Sequence, residues 1–181
     1  MTASVELWGE RYATPESRVR FWRRLVEAVE GLPGVQAAAL TTKLPLEGGW
    51  NSEVLVDAEV FETGARRPLV ETSWVSAGYF EAMGIPLLAG RTLGEIPSGP
   101  MQQEAVVNRA FADRYWPGQS VLGREVRHNR PKSEWAAVIV GVVENVRQWG
   151  PESPPLPEIY FAYEVEPRPM AKLIILAQTE P

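Results

Sequence analysis

"WVSAGYFEAMGIPLLAG", residues 74–90, and "VVNRAFADRYWPGQSVLG", residues 106–123, follow one plan. Each begins as a strand that ends in valine, continues through a capping residue into a short helix with aromatic side chains, and is broken by glycine. The capping residues are Ser76 and Asn108, whose side-chain oxygens can accept a backbone N–H in the first helical turn. Both stretches close on a glycine followed by an arginine.

The residues that repeat between these two stretches are caps, helix breakers and packing residues. The polar residues that could carry chemistry do not repeat, since Asp113 and Arg114 stand opposite Ala82 and Met83 or their neighbours. We therefore interpret the pair as a strand–helix building block used twice rather than as a catalytic motif.

Outside these stretches the chain combines one long helix with many short strands. Residues 14–31 predict the helix, because Thr14 can cap it, Pro15 suits its first position and apolar residues recur at three- and four-residue spacing. Downstream the apolar period changes to two, which is typical of strands. We predict strands at residues 35–42, 53–61, 69–75, 85–89, 104–107, 124–128, 136–147, 158–163 and 171–178. Strands and long helices do not alternate regularly, so the pattern predicts an α+β fold.

Composition excludes several classes of function. The chain has 181 residues, a formal net charge of -5 and no cysteine. The acidic balance argues against a nucleic-acid surface, and the lack of cysteine removes disulfides, iron–sulfur clusters and most structural zinc sites. The opening "MTASVELWGERY" lacks the pattern of a signal peptide. The longest apolar run, residues 135–143, is far shorter than the about twenty residues that a membrane-spanning helix needs.

Candidate catalytic residues are few. His128 is the only histidine, and it lies in a polar stretch without a nucleophile turn of the G-x-S-x-G type. No phosphate-binding glycine loop and no calcium-loop spacing occurs. We therefore expect no catalytic residue, no metal and no cofactor. A hydrolase that uses His128 or a pair of glutamates stays open as an alternative.

Two of the seven tryptophans are candidate contact residues. Trp22 and Trp116 lie on apolar helical patterns and are predicted to be core. Trp50 and Trp149 stand beside glycines in predicted loops, where a large ring either folds back or is presented to a partner or ligand. We single out Trp50 and Trp149 as the residues that would make such a contact.

Two loops are rich in proline. They are "EIPSGPMQQ", residues 95–103, and "QWGPESPPLPE", residues 148–158. Proline has no backbone N–H to donate to a sheet, so both loops are predicted to be surface connections or hinges.

The order of the motifs resembles the periplasmic core domain of MacB-like ABC transporter permeases, in the FtsX-like permease family. The resemblance covers nearly the whole chain, through four segments in the family's order. They are "RYATPESRVRFWRRLVEAVEGLPGVQAAALTTKLPL", "VSAGYFEAMGIPLLAGRTL", "AVVNRAFADRYWPGQSVLGREV" and "VIVGVVENVRQWGPESPPLPEIYFAY".

The resemblance implies a two-lobed domain. Residues 1–85 and 165–181 would form an α/β porter-like lobe, and residues 86–164 would form an inserted β-rich, sabre-like lobe. Family members carry this domain outside the bacterial inner membrane, between the first two of four transmembrane helices, with a fused or separate cytoplasmic ATPase. The chain shows neither a transmembrane helix nor an ATPase motif, so we expect an excised extracytoplasmic domain.

The resemblance also implies a function. The domain would be non-catalytic and would couple cytoplasmic ATP hydrolysis to the handling of a substrate or partner outside the membrane. We expect a homodimer for the full-length protein and a monomer for the isolated domain, and a periplasmic adaptor protein is a further partner to consider. The alternative is a freestanding periplasmic module that binds a small molecule or a peptide.

Overall fold

The computed structural model describes residues 1–48, 50–56, 69–94, 103–130 and 133–178. The second half of the predicted strand 53–61 and residues 95–102 of the first proline-rich loop lie outside the described residues. The side chains of Trp50 and His128 also lie outside what is described.

Ten strands and three α-helices form within these ranges. The strands are β1 (Thr2–Glu6), β2 (Val35–Thr41), β3 (Trp50–Val56), β4 (Leu69–Val75), β5 (Leu87–Gly90), β6 (Gln103–Asn108), β7 (Glu125–Arg130), β8 (Ser133–Val143), β9 (Glu158–Ala162) and β10 (Met170–Ala177). The helices are α1 (Pro15–Glu30), α2 (Tyr79–Ala82) and α3 (Arg109–Tyr115), with 3₁₀ turns at Glu10–Tyr12 and Tyr163–Val165.

Helix α1 begins and ends where the sequence predicts. The Thr14 hydroxyl accepts a hydrogen bond from the backbone N–H of Ser17 at 3.2 Å, which satisfies one of the donors that a helix start leaves free. Its apolar side packs Trp22 into the core with 2% exposure, and Gly31 ends the helix. The predicted cap and the predicted core position of Trp22 are both confirmed.

Six of the strands form a closed ring. Their pairing order is β4–β3–β7–β8–β6–β9, and a parallel pairing of β9 with β4 closes it. The antiparallel set β1–β10–β2 forms a second layer, which we call the three-stranded layer, and β5 pairs with β8 at the side of the ring. Among the described residues the three-stranded layer joins the ring through one ladder pair, Thr41 with Val75. The mixed sheet with few helices confirms the predicted α+β class.

Strand β1 is absent from the sequence prediction. It pairs only with β10, along the edge of the three-stranded layer, and four of its five residues are exposed. An edge strand of this kind carries little of the apolar alternation that makes strands recognisable. Its pairing places the Met1 amino group 2.9 Å from the carbonyl oxygen of Ile175, so the two chain ends lie side by side.

The predicted lobes meet within the ring. β3 and β4, which fall in the predicted porter-like segment, pair with β7 and β9, which fall in the predicted inserted segment 86–164. The division of the chain into residues 1–85 with 165–181 and residues 86–164 stays a prediction.

Strand β9 is the centre of the core. All five of its residues are buried, and alternate side chains enter two different hydrophobic clusters, because successive side chains of a strand point to opposite faces. Ile159 and Phe161 pack in one cluster with Trp22 and Phe111. Tyr160 packs in the other cluster beside α2. The core therefore lies on both faces of β9.

The two repeated stretches form similar units, with one difference at the cap. The Asn108 side-chain oxygen accepts from the backbone N–H of Phe111 at 2.9 Å, as predicted. The prediction that Ser76 caps α2 is wrong, because the residue before that helix is Gly78 and no side chain caps it. The Ser76 hydroxyl instead accepts from the backbone N–H of Leu40 on β2 at 2.9 Å.

Candidate functional site

A cluster of buried charges lies where β4 and β9 begin. The parallel pairing of these strands sets Glu71 opposite Glu158, and Lys43 reaches between them from the loop after β2. Lys43 Nζ lies 2.6 Å from Glu71 Oε2 and 3.4 Å from Glu158 Oε1. The three side chains are at most 4% exposed, so their charges interact with little screening by solvent.

Further donors surround the Glu158 carboxylate. Ser73 Oγ donates to Oε1 at 2.8 Å, Gln148 Nε2 lies within 3.0 Å of both oxygens, and the Tyr160 hydroxyl donates to Oε2 at 2.9 Å. Burial, together with the charge of Glu158, raises the pKa of Tyr160 well above its usual value. The Tyr160 hydroxyl therefore stays protonated and remains a donor. Every oxygen of Glu158 is satisfied, as a buried carboxylate requires.

Asn108 connects this cluster to the second repeated unit. Besides capping α3, its oxygen accepts from the backbone N–H of Glu158 at 3.0 Å, and its nitrogen donates to the carbonyl of Leu156 at 2.8 Å. One buried amide thus holds together the start of α3, the start of β9 and the end of the second proline-rich loop.

Trp149 lies on the outer side of the buried cluster. Its indole N–H donates to Glu71 Oε1 at 3.2 Å, while 52% of the residue remains exposed. The ring is therefore fixed at one edge and open to solvent elsewhere. A contact role for Trp149 stays a prediction. Trp50 is the first residue of β3 rather than part of a loop, and it pairs with Thr72, next to Glu71.

Leu46 lies beside Trp149 and is exposed to an unusual degree. It is 68% exposed and has a φ of 73°, a conformation that costs a non-glycine residue free energy. Its backbone N–H donates to the carbonyl of Gln148 at 2.9 Å, which ties the loop after β2 to the loop that carries Trp149. We call these two exposed residues the Leu46–Trp149 tip.

The charged side chains of this cluster bind one another and the loops that meet there. The charged side chains are enclosed and mutually satisfied, so no substrate can reach the carboxylates without opening the fold. Within the described ranges, no group of three His, Cys, Asp or Glu residues is placed to hold a metal ion. The cluster holds the Leu46–Trp149 tip in place, because Trp149 donates to Glu71 and Leu46 donates to the carbonyl of Gln148.

Sequence reasoning missed Lys43, Glu71 and Glu158. A signal existed for two of them, because Glu71 interrupts the buried strand "LVETSWV" and Glu158 precedes the apolar run "IYFAY". A lone carboxylate in a fully buried strand needs a buried partner. The partner itself follows only from the pairing of β4 with β9, which no local pattern indicates.

No helix in the described part of the chain is long and apolar enough to cross a membrane. Comparison with curated protein sequences found no significant match.

Solved structures with the same fold come from bacterial transporters. The periplasmic region of MacB from Actinobacillus actinomycetemcomitans is 14% identical, with a TM-score of 0.59, over 99% of this chain and 76% of that one. The extracellular domain of the ABC-type transporter YknZ from Gram-positive bacteria is 13% identical, with a TM-score of 0.58, over 99% and 84%. A permease domain from Porphyromonas gingivalis is 18% identical, with a TM-score of 0.56, over 87% and 69%.

At these identities the structural likenesses establish the fold alone. The sequence itself matches the profile of the MacB-like periplasmic core domain over residues 3–167, which is most of the chain. The chain therefore belongs to the MacB-like periplasmic core domain family, the extracytoplasmic domains of ABC transporter permeases.

Proposed function

We propose that this domain is a non-catalytic coupling element of an ABC transporter permease. Movement of the membrane helices, driven by ATP hydrolysis in the cytoplasm, would pass through the domain to a substrate or partner outside the membrane. The permease family implies both the membrane helices and the ATPase as partners.

The position of the chain ends carries this proposal. Met1 lies beside Ile175, and Val35 pairs with Ala177 at the same end of the three-stranded layer. The opposite end is marked by the pair of Thr41 with Lys172, and a strand of this length spans about 20 Å. Any chain that precedes β1 and any that follows β10 therefore leaves on one side, as insertion between two membrane helices requires.

The Leu46–Trp149 tip lies beyond the other end of the layer. Lys43 and Leu46 follow Thr41 along the chain, and Trp149 is bound to Glu71, four residues before the junction at Val75. The tip is thus separated from the chain ends by the length of β2. We propose it as the surface that meets the partner or substrate, with Trp50 as a further contact residue.

The junction between the layer and the ring is the place where movement would pass. Thr41 and Val75 are its only ladder pair among the described residues, and the flanking bonds run from Thr42 N–H to the Trp74 carbonyl and from Ser76 N–H to the Leu40 carbonyl. Bonds on both sides of a pair mark it as the close, non-hydrogen-bonded type, with Cα atoms about 4.5 Å apart. That spacing suits a disulfide, and these 181 residues contain no cysteine that could pair with the new ones.

One experiment tests the coupling through this junction. We expect the double variant Thr41→Cys/Val75→Cys, in the complete permease reconstituted with its ATPase, to lose transport when oxidised and to recover it when reduced. The single variants under the same oxidant are the controls. Undiminished transport in the crosslinked protein would contradict movement at the junction, and catalytic turnover by the isolated domain that one substitution abolishes would contradict a non-catalytic role.

A second experiment tests the tip. We expect Trp149→Ala and Leu46→Ala to reduce transport at least about fivefold while basal ATP hydrolysis is unchanged, because truncating a buried interface anchor costs more than about 1 kcal/mol. Trp8, which is 75% exposed on another loop, provides the matched control. Equal transport by Trp8→Ala and Trp149→Ala would argue against the tip as the contact surface.

A further inference from the structure

An open groove of about 120 Å³ lies between α1 and the turn that follows β4. Its floor contains Trp22, Leu40 and Tyr163, all of which are buried. Sites for small organic molecules are concave and have mainly apolar walls with a few polar groups. The groove is distinct from the Leu46–Trp149 tip, and the proposed coupling role does not use it.

The rim of the groove carries an excess of negative charge. Glu27 and Glu30 line it from α1, Glu164 lines it from the 3₁₀ turn after β9, and Arg23 is the only basic residue of the lining. Glu164 has an interaction of its own, so Glu27 and Glu30 against Arg23 leave a formal charge of -1. Within the described part of the chain, the side chains of Glu27 and Arg23 make neither a hydrogen bond nor an ion pair, so the Glu27 carboxylate is available to a ligand.

Ser76 adds a buried polar group to the groove. It is 9% exposed, and its hydroxyl oxygen accepts from the backbone N–H of Leu40 at 2.9 Å. A hydroxyl oxygen has two lone pairs, so a second one remains for an N–H of a ligand. The Glu30 carboxylate also accepts from the fold itself, because its Oε1 lies 3.4 Å from the backbone nitrogen of Ala38 at the groove's edge. Its remaining lone pairs can accept from a ligand.

We propose that this groove binds a small organic cation, an aromatic or branched aliphatic body that carries one ammonium group. The apolar body would lie against the floor of the groove, and the ammonium would lie between the Glu27 and Glu30 carboxylates. An anion of the same shape is disfavoured because it would meet the same carboxylates. The groove borders β2 on one side and the turn after β4 on the other, so a bound ligand contacts both sides of the junction between the layer and the ring.

The probe for this site is 2-phenylethylammonium, with the neutral 2-phenylethanol and the anionic 3-phenylpropionate as matched ligands. Titration followed by backbone amide shifts is expected to perturb residues 19–30 and 76–78, with the cation bound about threefold or more tightly than the alcohol. Higher salt should reduce that preference. Equal binding of all three ligands, or perturbation confined to other surfaces, would overturn the proposal.

Two variants test the location of the site. Ala77 lines the groove and is exposed, so Ala77→Phe is expected to fill the space and weaken binding at least about tenfold. Ala28 is an exposed alanine of α1 outside the lining, and Ala28→Phe should bind the probe normally. Thermal unfolding of both variants confirms that they fold. Unchanged binding in a folded Ala77→Phe protein would place the ligand elsewhere.

Removing one negative and one positive charge from the lining tests whether the groove recognises the charge of the ligand. Glu27→Gln is expected to weaken binding of 2-phenylethylammonium about threefold, and Arg23→Gln should strengthen it about twofold, as is usual for exposed charge pairs. Arg24→Gln changes the same net charge outside the lining and serves as the control. If Arg23→Gln and Arg24→Gln behave alike, long-range charge rather than the groove explains the preference for the cation.

Discussion

The two strand–helix units, residues 69–91 and 103–124, share a plan but bind different parts of the molecule. Asn108 caps its own helix and holds the backbone of Glu158, so the second unit is attached to the ring. Ser76 leaves its helix uncapped and binds Leu40, so the first unit, whose strand β4 belongs to the ring, is also attached to the three-stranded layer. A repeated sequence thus specifies the local shape, while the polar residue at the cap position accepts from a ring strand in one copy and from a strand of the three-stranded layer in the other.

The largest expected difference between the units concerns their closing glycines. Gly90 and Gly123 have φ values of 72° and 81°, but only Gly90 faces a backbone that a Cβ would overlap, the carbonyl of Val140. We expect Gly90→Ala to lower the free energy of unfolding by about 4 kcal/mol and Gly123→Ala by about 1 kcal/mol, measured by denaturant unfolding. Similar losses of unfolding free energy in the two variants would show that Gly90 and Gly123 are under the same steric constraint.

The next largest effect concerns the buried charges to which the second unit is attached. Lys43→Met removes the cation between Glu71 and Glu158, and we expect a loss of about 3 kcal/mol, because an unpaired buried carboxylate is costly. The double variant Lys43→Met/Glu71→Gln, with one carboxylate fewer, should recover part of that loss. If the double variant is less stable than the single one, the cluster does not act through charge pairing.

Asn108→Ala tests the link between the second unit and the cluster. It removes three hydrogen bonds from a fully buried residue, and we expect a loss of about 2–3 kcal/mol in chemical unfolding. Asn145→Ala is the matched control. Among the described residues the Asn145 side chain accepts only from the Ala110 N–H at the start of the same helix, so its loss should cost about 1 kcal/mol. Equal losses would reduce Asn108 to an ordinary cap.

Ser76→Ala gives the smallest expected effect. The Leu40 N–H loses its one side-chain acceptor, which costs about 1 kcal/mol, while α2 is unaffected because Ser76 does not cap it. Hydrogen exchange should show faster exchange at Leu40 and no change at Tyr79 and Phe80. Faster exchange confined to α2 would restore the capping role that the sequence suggests.

The features that the sequence predicts correctly are those set by neighbours along the chain. Helix α1 follows from Thr14, Pro15 and a stripe of apolar residues, and the Asn108 cap follows from its position before α3. Ser76 failed as a cap because a hydroxyl can serve any nearby donor, and Leu40 of β2 is the donor that the fold brings to it. Local chemistry gave the candidate acceptor, and tertiary structure selected its partner.

At the candidate site, local patterns indicate Trp50 and Trp149 as contact candidates but do not indicate the buried charges behind them. Trp149 is a candidate because a large ring beside a glycine in a loop either folds back or is presented to a partner, and the structure leaves 52% of the residue exposed. The contact of its indole with Glu71, and of Lys43 with both glutamates, depends on pairing strands that lie far apart in the chain. Periodicity identifies strands but not the strands they pair with, so the sequence alone does not predict the buried cluster.

The start of β1 lies beside the end of β10, so the domain can be inserted into another protein as a unit. A domain whose entry and exit points touch can be placed within a loop of a host protein without stretching the host, which is why such domains are readily inserted during evolution and in engineering. The same property permits circular permutation: a short linker could join Gln178 to Met1, and new ends could be opened at an exposed turn. The five residue pairs between β10 and β1 would then lie within a single β-hairpin.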